Sequence, residues 1–108
     1  MIYQSFDMNH KVREICKDAV EIWGAQAQAN VAIEEMAELT VALEHFRRGR
    51  ATMDEVRTEI ADVMITAAQL ALIFGEDEVS EEVNAKLDRL KGRIEKAKAQ
   101  VKKEYYGN

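Results

Sequence analysis

The run VMITAAQLALIF, residues 63–74, decides the fold of this chain, because it is apolar except for Thr66 and Gln69. It is too short to cross a bilayer, which takes about 20 residues, so it predicts a deeply buried helix. Its apolar side chains occupy every face of that helix, and such a helix must be covered on every side. Three partner helices in a chain of 108 residues can hardly do so. We therefore expect two copies of the chain to pack together through this helix, with no membrane as a partner.

The first half of the chain predicts two helices, recognised by apolar residues three and four positions apart. The first covers about residues 7–23 and ends at Gly24, which breaks the pattern. The second covers about residues 25–48, and Gly49 suits the position just after a helix. The predicted inner face of the second helix consists of Ile33, Met36, Ala37, Thr40 and Leu43.

The second half of the chain predicts two more helices. Thr52-x-x-Glu55 is a capping box that begins the third helix, Gly75 ends it, and Ser80 begins the fourth. The predicted core stripe of the third helix is Val56, Ile60, Val63, Ala67, Leu70 and Phe74. A narrow stripe typical of a coiled-coil seam follows on the fourth, formed by Val83, Leu87, Leu90, Ile94, Ala97 and Val101. These patterns predict an all-α fold, a four-helix bundle that forms a single domain over residues 1–108 and assembles as a homo-oligomer.

The composition agrees with a helical protein of the cytoplasm. The chain has no proline and five glycines, too few turn residues for an all-β fold. Its lone Cys16 excludes an intramolecular disulfide and fits a reducing compartment, and its place on the apolar stripe of the first helix predicts that it lies in the core. No N-terminal stretch resembles a signal peptide, so we expect a cytoplasmic protein.

The charge is unevenly distributed along the chain, although the net charge is only −5. Residues 1–82 hold 7 basic and 17 acidic side chains, and residues 83–108 hold 8 basic and 3 acidic ones. An acidic body argues against duplex nucleic acid as a partner, because binding to a duplex is driven by basic residues that release counterions. The basic C-terminal segment is either a solvated helix face or a source of cations for a polyphosphate.

Two acidic motifs lie within the predicted second and third helices: Glu34-Glu35-x-x-Glu38 and Glu59-x-x-Asp62. Residues three apart on a helix are neighbours on its surface, so each motif places a pair of carboxylates on one ridge. If the two helices are antiparallel, their short connection brings both pairs to similar heights, at the edges of the buried faces. Four like charges would repel one another unless a hard divalent cation lay between them. Oxygen ligands favour Mg²⁺, with Mn²⁺ as the alternative, and this points to phosphate chemistry.

The acidic residues also allow two alternative interpretations. A di-iron site of the helical-bundle type takes Glu-x-x-His from two helices, and neither His10 nor His45 has that spacing. All-oxygen ligands also disfavour zinc, and a core Cys16 is a poor nucleophile. The second alternative is that the acids are ordinary surface carboxylates, offset by nearby cations: Arg47, Arg48, Arg50 and Arg57.

The two acidic motifs, in this order and about 20 residues apart, resemble the signature of the all-α nucleoside triphosphate pyrophosphohydrolases, the MazG-like superfamily. The resemblance covers about residues 20–95 and is strongest with the short, phage-type members. It also includes Trp23-Gly24, Gln28, the segment Ala32-Ile33-Glu34-Glu35-Met36-Ala37-Glu38-Leu39, Glu59-Ile60-Ala61-Asp62-Val63 and Lys86-Leu87-x-Arg89-Leu90.

The resemblance implies a helical bundle that works as a dimer or a dimer of dimers. It also implies Mg²⁺-dependent hydrolysis of a nucleoside triphosphate to the monophosphate and pyrophosphate. By position, the residues that correspond to metal ligands are Glu35, Glu38, Glu59 and Asp62. Glu34 corresponds to an acid that orients or deprotonates water.

Three further residues are candidates for substrate binding. Lys86 and Arg89, with Lys91 and Arg93 as alternatives, are expected to meet the terminal phosphates, although cations on such a helix are often only solvated. Trp23 is expected either to stack on a base or to belong to the core. The competing hypothesis for the whole chain is a non-catalytic adaptor that dimerises through its third and fourth helices. That hypothesis does not explain why acidic side chains lean towards the interior.

Overall fold

A computed structural model of the protein describes residues 9–107. Within that range it contains four α-helices and no strand. The helices are α1 (His10–Trp23), α2 (Ala25–Arg47), α3 (Met53–Phe74) and α4 (Glu76–Tyr106). The predicted all-α class is therefore confirmed.

The start of α1 is set by Asn9, whose side-chain Oδ1 accepts a hydrogen bond of 3.0 Å from the backbone N–H of Val12. Asn is among the residues that cap helices best, because its short side chain satisfies one of the free N–H groups of the first turn. The predicted start near residue 7 lies outside the described residues. At the other end, Gly24 has φ +91° and is the single residue between α1 and α2. A residue with a Cβ would be strained in that conformation.

The turn between α2 and α3 forms as its sequence predicts. Gly49, at φ +73°, follows α2, and the N–H groups of Gly49 and Arg50 donate to the carbonyls of Phe46 and His45. This pair of bonds is the Schellman arrangement, which satisfies carbonyls at a helix end. Thr52 and Glu55 then form the predicted capping box, with two reciprocal hydrogen bonds of 3.1 Å. The turn therefore fixes where α2 stops and α3 starts.

The chain divides into two compact units, one that ends at Gly75 and one that begins at Glu76. In the first unit α2 and α3 form the largest interface, and α1 packs mainly on α3. Helices α2 and α3 run antiparallel, since the start of α2 meets the end of α3: Gln28 contacts Gln69. Small and polar residues form this interior, and the side chains that are buried are Cys16, Gln28, Ala32, Thr66, Ala68 and Gln69.

The inner face of α2 differs from the predicted one. The side chains that are buried or half-buried along it are Gln28, Ala32, Glu35, Leu39 and Ala42. The predicted inner residues are exposed instead, Ile33 by 62% and Met36 by 45%, and Ala37, Thr40 and Leu43 are exposed as well. The large apolar residues indicated the wrong face, because α2 approaches α3 through small side chains.

The core stripe predicted for α3 is only partly right. Val56, Val63 and Leu70 are half-buried, but Ile60, Ala67 and Phe74 are exposed, the last by 74%. The ridge that packs inward instead carries polar residues, namely Glu59, Asp62, Thr66 and Gln69. The acidic motif of α3 therefore lies on the packed face rather than at its edge.

The apolar run of residues 63–74 forms the C-terminal half of α3. Within residues 9–107 no single helix is long and apolar enough to cross a bilayer, and only α3 and α4 taken together meet that test of length and composition. Ala68 is buried in the run, whereas Ile65 and Phe74 remain exposed. One chain thus covers some faces of this helix and leaves others open.

The second unit contains α4, which begins at Glu76 and not at the predicted Ser80. Its first turn contains Glu76, Asp77 and Glu78, whose negative charges stabilise the N-terminal end of a helix dipole. This favourable start accounts for the earlier beginning. No described residue of α4 is buried, and the predicted apolar stripe from Val83 to Val101 is exposed along its length.

One buried hydrogen bond joins the two central helices: Gln28 Nε2 donates to Gln69 Oε1 at 2.6 Å. We expect Gln69→Leu to lower the free energy of unfolding by about 1–3 kcal/mol, because it leaves the buried amide of Gln28 without a partner. Replacing both glutamines with leucine should restore most of that loss, since no unpaired amide remains. Urea titration followed by circular dichroism measures both effects.

The matched control for this experiment is Gln26→Leu. Gln26 also makes an amide hydrogen bond, of 3.2 Å to Asn30, but at an exposed position. Its replacement should change stability by less than about 0.5 kcal/mol. A Gln69→Leu protein as stable as the parent would contradict a structural role for the buried pair.

Candidate metal centre

Three of the four predicted metal ligands come together between α2 and α3. Carboxylate oxygens of Glu35, Glu38 and Glu59 all lie within 4.8 Å of one another. Glu35 and Glu38 are one turn apart on α2, and the antiparallel packing of α3 brings Glu59 opposite them. We name these three residues the carboxylate cluster.

Each inner member of the cluster has one carboxylate oxygen that is shielded from water and lacks a hydrogen-bond partner in the described part of the chain. Glu35 and Glu59 are half-buried, and the Oε2 atom of each is buried with no hydrogen-bond partner among residues 9–107. Buried carboxylate oxygens are normally hydrogen-bonded or coordinate a metal, because an unpaired one costs free energy. Glu38 is exposed and closes the cluster on its solvent side. The arrangement could hold a metal ion, and the two buried Oε2 atoms lack a protein donor among the described residues.

The electrostatics of the cluster disfavour the ionised forms of Glu35 and Glu59. Burial raises the pKa of Glu35, and the negative charges of Glu38 and Asp62 raise it further. Burial likewise raises the pKa of Glu59, followed by the charges of Glu38 and Asp62. A bound cation would reverse both causes, because it replaces the lost hydration and neutralises the like charges.

Asp62, the fourth predicted ligand, is half-buried one turn beyond Glu59 on α3. It is not part of the group within 4.8 Å, although its charge acts on both inner glutamates. The backbone carbonyl of Asp62 accepts a hydrogen bond of 3.1 Å from the Thr66 hydroxyl. Glu34, the predicted water-orienting residue, is exposed and lies outside the group. The roles of these two acids remain predictions.

Three of the four nearby arginines pair with acids outside the cluster in the part of the chain that the structure describes. Arg47 and Arg48 pair with Glu44 at 2.7 and 3.9 Å, and Arg57 pairs with Asp54 at 2.8 Å. All of these pairs are exposed and contribute little to stability. The interpretation of the acids as surface carboxylates offset by arginine therefore fits Glu44 and Asp54, and does not fit the cluster.

The donor set fits a hard cation. Three carboxylates from two helices supply oxygen ligands only, which suits Mg²⁺ or Mn²⁺ and leaves coordination positions for water and phosphate. Cys16 does not suit such a role, since it is buried and donates a weak hydrogen bond to the carbonyl of Ile65 at 3.9 Å. Burial raises the pKa of its thiol, which disfavours the reactive thiolate. Its predicted place in the core is confirmed.

A groove of about 440 Å³ adjoins the cluster and runs between α2 and α3 towards their turn. Its lining residues are Ala37, Glu38, Val41, Ala42, His45, Ala51, Glu55 and Glu59. Half of the lining residues are alanine or valine. Towards the turn, His45 lies two helical turns beyond Glu38 on α2, and Glu55 lies one helical turn before Glu59 on α3. No sequence pattern indicated this groove, and the sequence marked Glu55 only as a helix cap.

Of the predicted substrate-binding residues, Trp23 belongs to the first unit, and Lys86 and Arg89 belong to the second. Trp23 is the last residue of α1 and is 64% exposed, so its expected alternative place in the core is wrong, and it does not line the groove. Lys86 and Arg89 are exposed on α4, where Lys86 lies 3.9 Å from Glu82. Their predicted contacts with phosphate remain predictions.

Comparisons of the chain with protein-family models, with curated proteins and with solved structures gave no match. The resemblance to the MazG-like superfamily therefore depends on the sequence motifs alone.

The raised pKa values predict an unusual pH dependence of the metal-free protein. A carboxyl group whose native pKa is raised binds its proton more tightly in the folded state. Its contribution to stability is fully present below the unfolded value of about 4.3 and is lost as pH rises through the raised native pKa. We expect Glu35 and Glu59 together to make the chelator-treated protein less stable at neutral than at mildly acidic pH. Thermal unfolding across that range measures the effect.

The double variant Glu35→Gln/Glu59→Gln isolates this contribution, because its stability should change less over the same range. Millimolar Mg²⁺ should raise the melting temperature of the parent at neutral pH, since it binds only the native cluster, and should not raise that of the variant. Identical melting of the parent in Mg²⁺ and in chelator would argue strongly against a metal centre.

Proposed function

We propose that this protein is a Mg²⁺-dependent nucleoside triphosphate pyrophosphohydrolase that converts a ribo- or deoxyribonucleoside triphosphate and water to the monophosphate and pyrophosphate. The observation that carries the proposal is the carboxylate cluster, in which two buried oxygens without protein partners face like charges beside an open groove. The two sequence motifs that supply these residues point to the same chemistry. Such an activity would clear unwanted nucleotides from the cytoplasm, which also fits the lone reduced thiol.

The chemistry required is the addition of water across the anhydride bond between the α and β phosphorus atoms. Mg²⁺ supplies neutralisation of the phosphates and a bound water of lowered pKa. In the proposal Glu35, Glu38 and Glu59 would hold the ion, and Asp62, one turn beyond Glu59 on α3, would be a further ligand. Glu34 orients the attacking water or accepts its proton. These side chains act mainly by positioning, as expected for phosphoryl transfer.

The groove is suited to the nucleoside. It reaches from Glu38 to His45, seven residues along α2 or about 10 Å, which is comparable to the length of a nucleoside monophosphate. Its alanine and valine wall offers an apolar surface to a flat base, and its volume lies in the range of small-molecule sites. A substrate with its phosphates at the carboxylate cluster would place its base near the turn between α2 and α3.

Other parts of the chain supply the remaining roles in the proposal. The basic segment of residues 83–108 provides cations for the terminal phosphates, with Lys86 and Arg89 as the candidates that the family resemblance indicates. Trp23 presents an exposed indole that is available for stacking. Both assignments derive from the sequence, and activity assays of the corresponding alanine variants test them.

We further propose that the enzyme is a helical bundle that works as a homodimer or a dimer of dimers. The first unit buries only Cys16, Ala32 and Ala68 among its described apolar residues. Large apolar side chains remain exposed on all three of its helices, and examples are Ile22, Ile33 and Phe74. Exposed apolar surface of this extent is typical of an interface with another protein surface.

A second candidate function is the non-catalytic adaptor. The exposed apolar stripe of α4 favours it, because an amphipathic helix with an open face is a common docking element. This hypothesis gives no reason for two buried and unpartnered carboxylate oxygens. We therefore rank it below the enzyme.

The first prediction concerns catalysis. Glu38→Gln and Asp62→Asn keep the size of the side chain but each removes a charge from the proposed metal centre. Pyrophosphate release from a panel of triphosphates should fall by about 10²–10³-fold in either variant, a loss typical of removing one electrostatic contact to a transition state. A chelator should abolish the activity of the parent.

The exposed Glu104→Gln on α4 is the control for a loss of charge outside the site, and it should be as active as the parent. Both variants of the metal centre should keep their helix content by circular dichroism. Parental rates in both of them would refute the site assignment, and a parent inactive on every triphosphate would favour the adaptor.

The second prediction concerns assembly. Light scattering at micromolar concentration should give a mass of at least twice the 12.3 kDa of one chain. A charged residue in the exposed apolar surface, as in Phe74→Asp, should shift the protein towards the monomer because burying a charge is costly. A parent that remains a monomer throughout would contradict the proposed dimer.

A further inference from the structure

Glu55 has two roles in the structure, since it caps α3 and also lines the groove. Its Oε2 accepts the hydrogen bond of 3.1 Å from the backbone N–H of Thr52. Among residues 9–107, the Glu55 side chain makes no hydrogen bond outside the capping box. The cap therefore fixes the position of the carboxylate and leaves its second oxygen, Oε1, as an acceptor.

Glu55 consequently offers a hydrogen-bond acceptor at the end of the groove nearest the turn between α2 and α3. Among the described residues that line the groove, Glu55 is the only acidic one at this end, and none is a lysine or an arginine. Arg47 and Arg48 pair with Glu44, and Arg57 pairs with Asp54, all outside the groove. Arg50 lies in the turn and is not among the residues that line the groove. His45 offers one donor and one acceptor when neutral, so it does not by itself favour either kind of base edge. The choice between base edges falls to Glu55.

We propose that this groove selects nucleobases with an amino group at C4 of a pyrimidine or C6 of a purine, cytosine over uracil and adenine over hypoxanthine, and that Glu55 is the specificity-determining residue. The inference rests on the proposed function, because it assumes that the phosphates lie at the carboxylate cluster and the base towards the turn. An amino group at C4 of a pyrimidine or C6 of a purine donates to Glu55. A carbonyl at the same atom meets the carboxylate as a second acceptor and is repelled.

The size of the effect follows from the exposure of Glu55. Sites that hydrogen-bond a substrate group in full burial reject analogues by about 10⁴-fold or more. Glu55 is exposed to solvent, so water weakens both the attraction and the repulsion. We expect the parent to prefer the amino nucleotide by about 10- to 100-fold in kcat/KM.

Two matched pairs of substrates test the inference on the unaltered protein. dCTP and dUTP differ at C4 of the pyrimidine, and dATP and dITP differ at C6 of the purine, in each case by an amino group in place of a carbonyl. With Mg²⁺ present, kcat/KM should be higher for the amino member of both pairs. Equal kcat/KM within both pairs, or a preference for the carbonyl members, would overturn the inference.

The variant Glu55→Gln tests the residue without losing the helix cap, because a capping box accepts glutamine at this position. The glutamine Oε1 should keep the hydrogen bond from Thr52, which leaves the Nε2 amide, a donor, towards the groove. The ratio of kcat/KM for the amino member to kcat/KM for the carbonyl member of each pair should fall to one or reverse in favour of dUTP and dITP. A melting temperature and a helix content equal to those of the parent would verify that Glu55→Gln keeps the helix cap.

Asp54→Asn is the matched control, since it removes one charge at the neighbouring residue, which is exposed and does not line the groove. Asp54→Asn should show the same ratio of kcat/KM between the amino and carbonyl substrates as the parent. A parental ratio in Glu55→Gln would overturn the role of Glu55. No hydrolysis of any of the four nucleotides would refute the proposed function and this inference together, whereas equal hydrolysis within each pair would refute the inference alone.

Discussion

The close antiparallel contact between α2 and α3 is the constraint on which the rest of the first unit depends. Ala32 and Ala68 are buried in the interior and let the helices approach, because they have no side-chain bulk beyond Cβ. The Gln28–Gln69 hydrogen bond fixes the register at one end, and the turn through Gly49 fixes it at the other. Between these two points the carboxylates cannot slide apart. Their proximity is thus imposed by the packing rather than by any attraction between them.

This arrangement links the stability of the fold to its proposed chemistry. Glu35 and Glu59 occupy positions on the packed ridges where apolar residues would be more favourable for an empty bundle. If the proposed cation binds, it would recover the free energy that the metal-free protein loses there, since binding to a preformed native site stabilises that state. In the proposal, the same glutamates make the bundle less stable alone and supply its ligands for a divalent ion.

The turn between α2 and α3 and the end of α3 were predictable from sequence, whereas the start of α4 and much of the inward faces of α2 and α3 were not. Helix caps and turns depend on the backbone conformation of a few adjacent residues, so a short stretch of sequence is enough to predict them. Examples are Gly49, Thr52 and Gly75. The inward face of α2 depends on which partner helix approaches and how closely. The apolar pattern favoured Ile33 and Met36, whereas the contact uses Ala32. Glutamine at position 69, within an otherwise apolar run, was the available signal for a buried polar partner.

The candidate site was predictable to the same limited degree. Spacing alone indicated Glu35, Glu38 and Glu59, because ridge neighbours and a short turn suffice to bring them together. The groove could not be predicted, since it is a space between two helices whose separation the sequence does not state. Glu55 was recognised for its cap, and only the structure shows that the same side chain lines the groove.

The capping box has an evolutionary consequence. A residue at position 55 must accept a hydrogen bond from Thr52, so glutamate and glutamine are the side chains that preserve the start of α3. Their codons differ by a single nucleotide, GAA to CAA or GAG to CAG. A single nucleotide change at this codon therefore exchanges a carboxylate for an amide in the groove lining and keeps the helix cap, whereas most other substitutions at this position lose the cap.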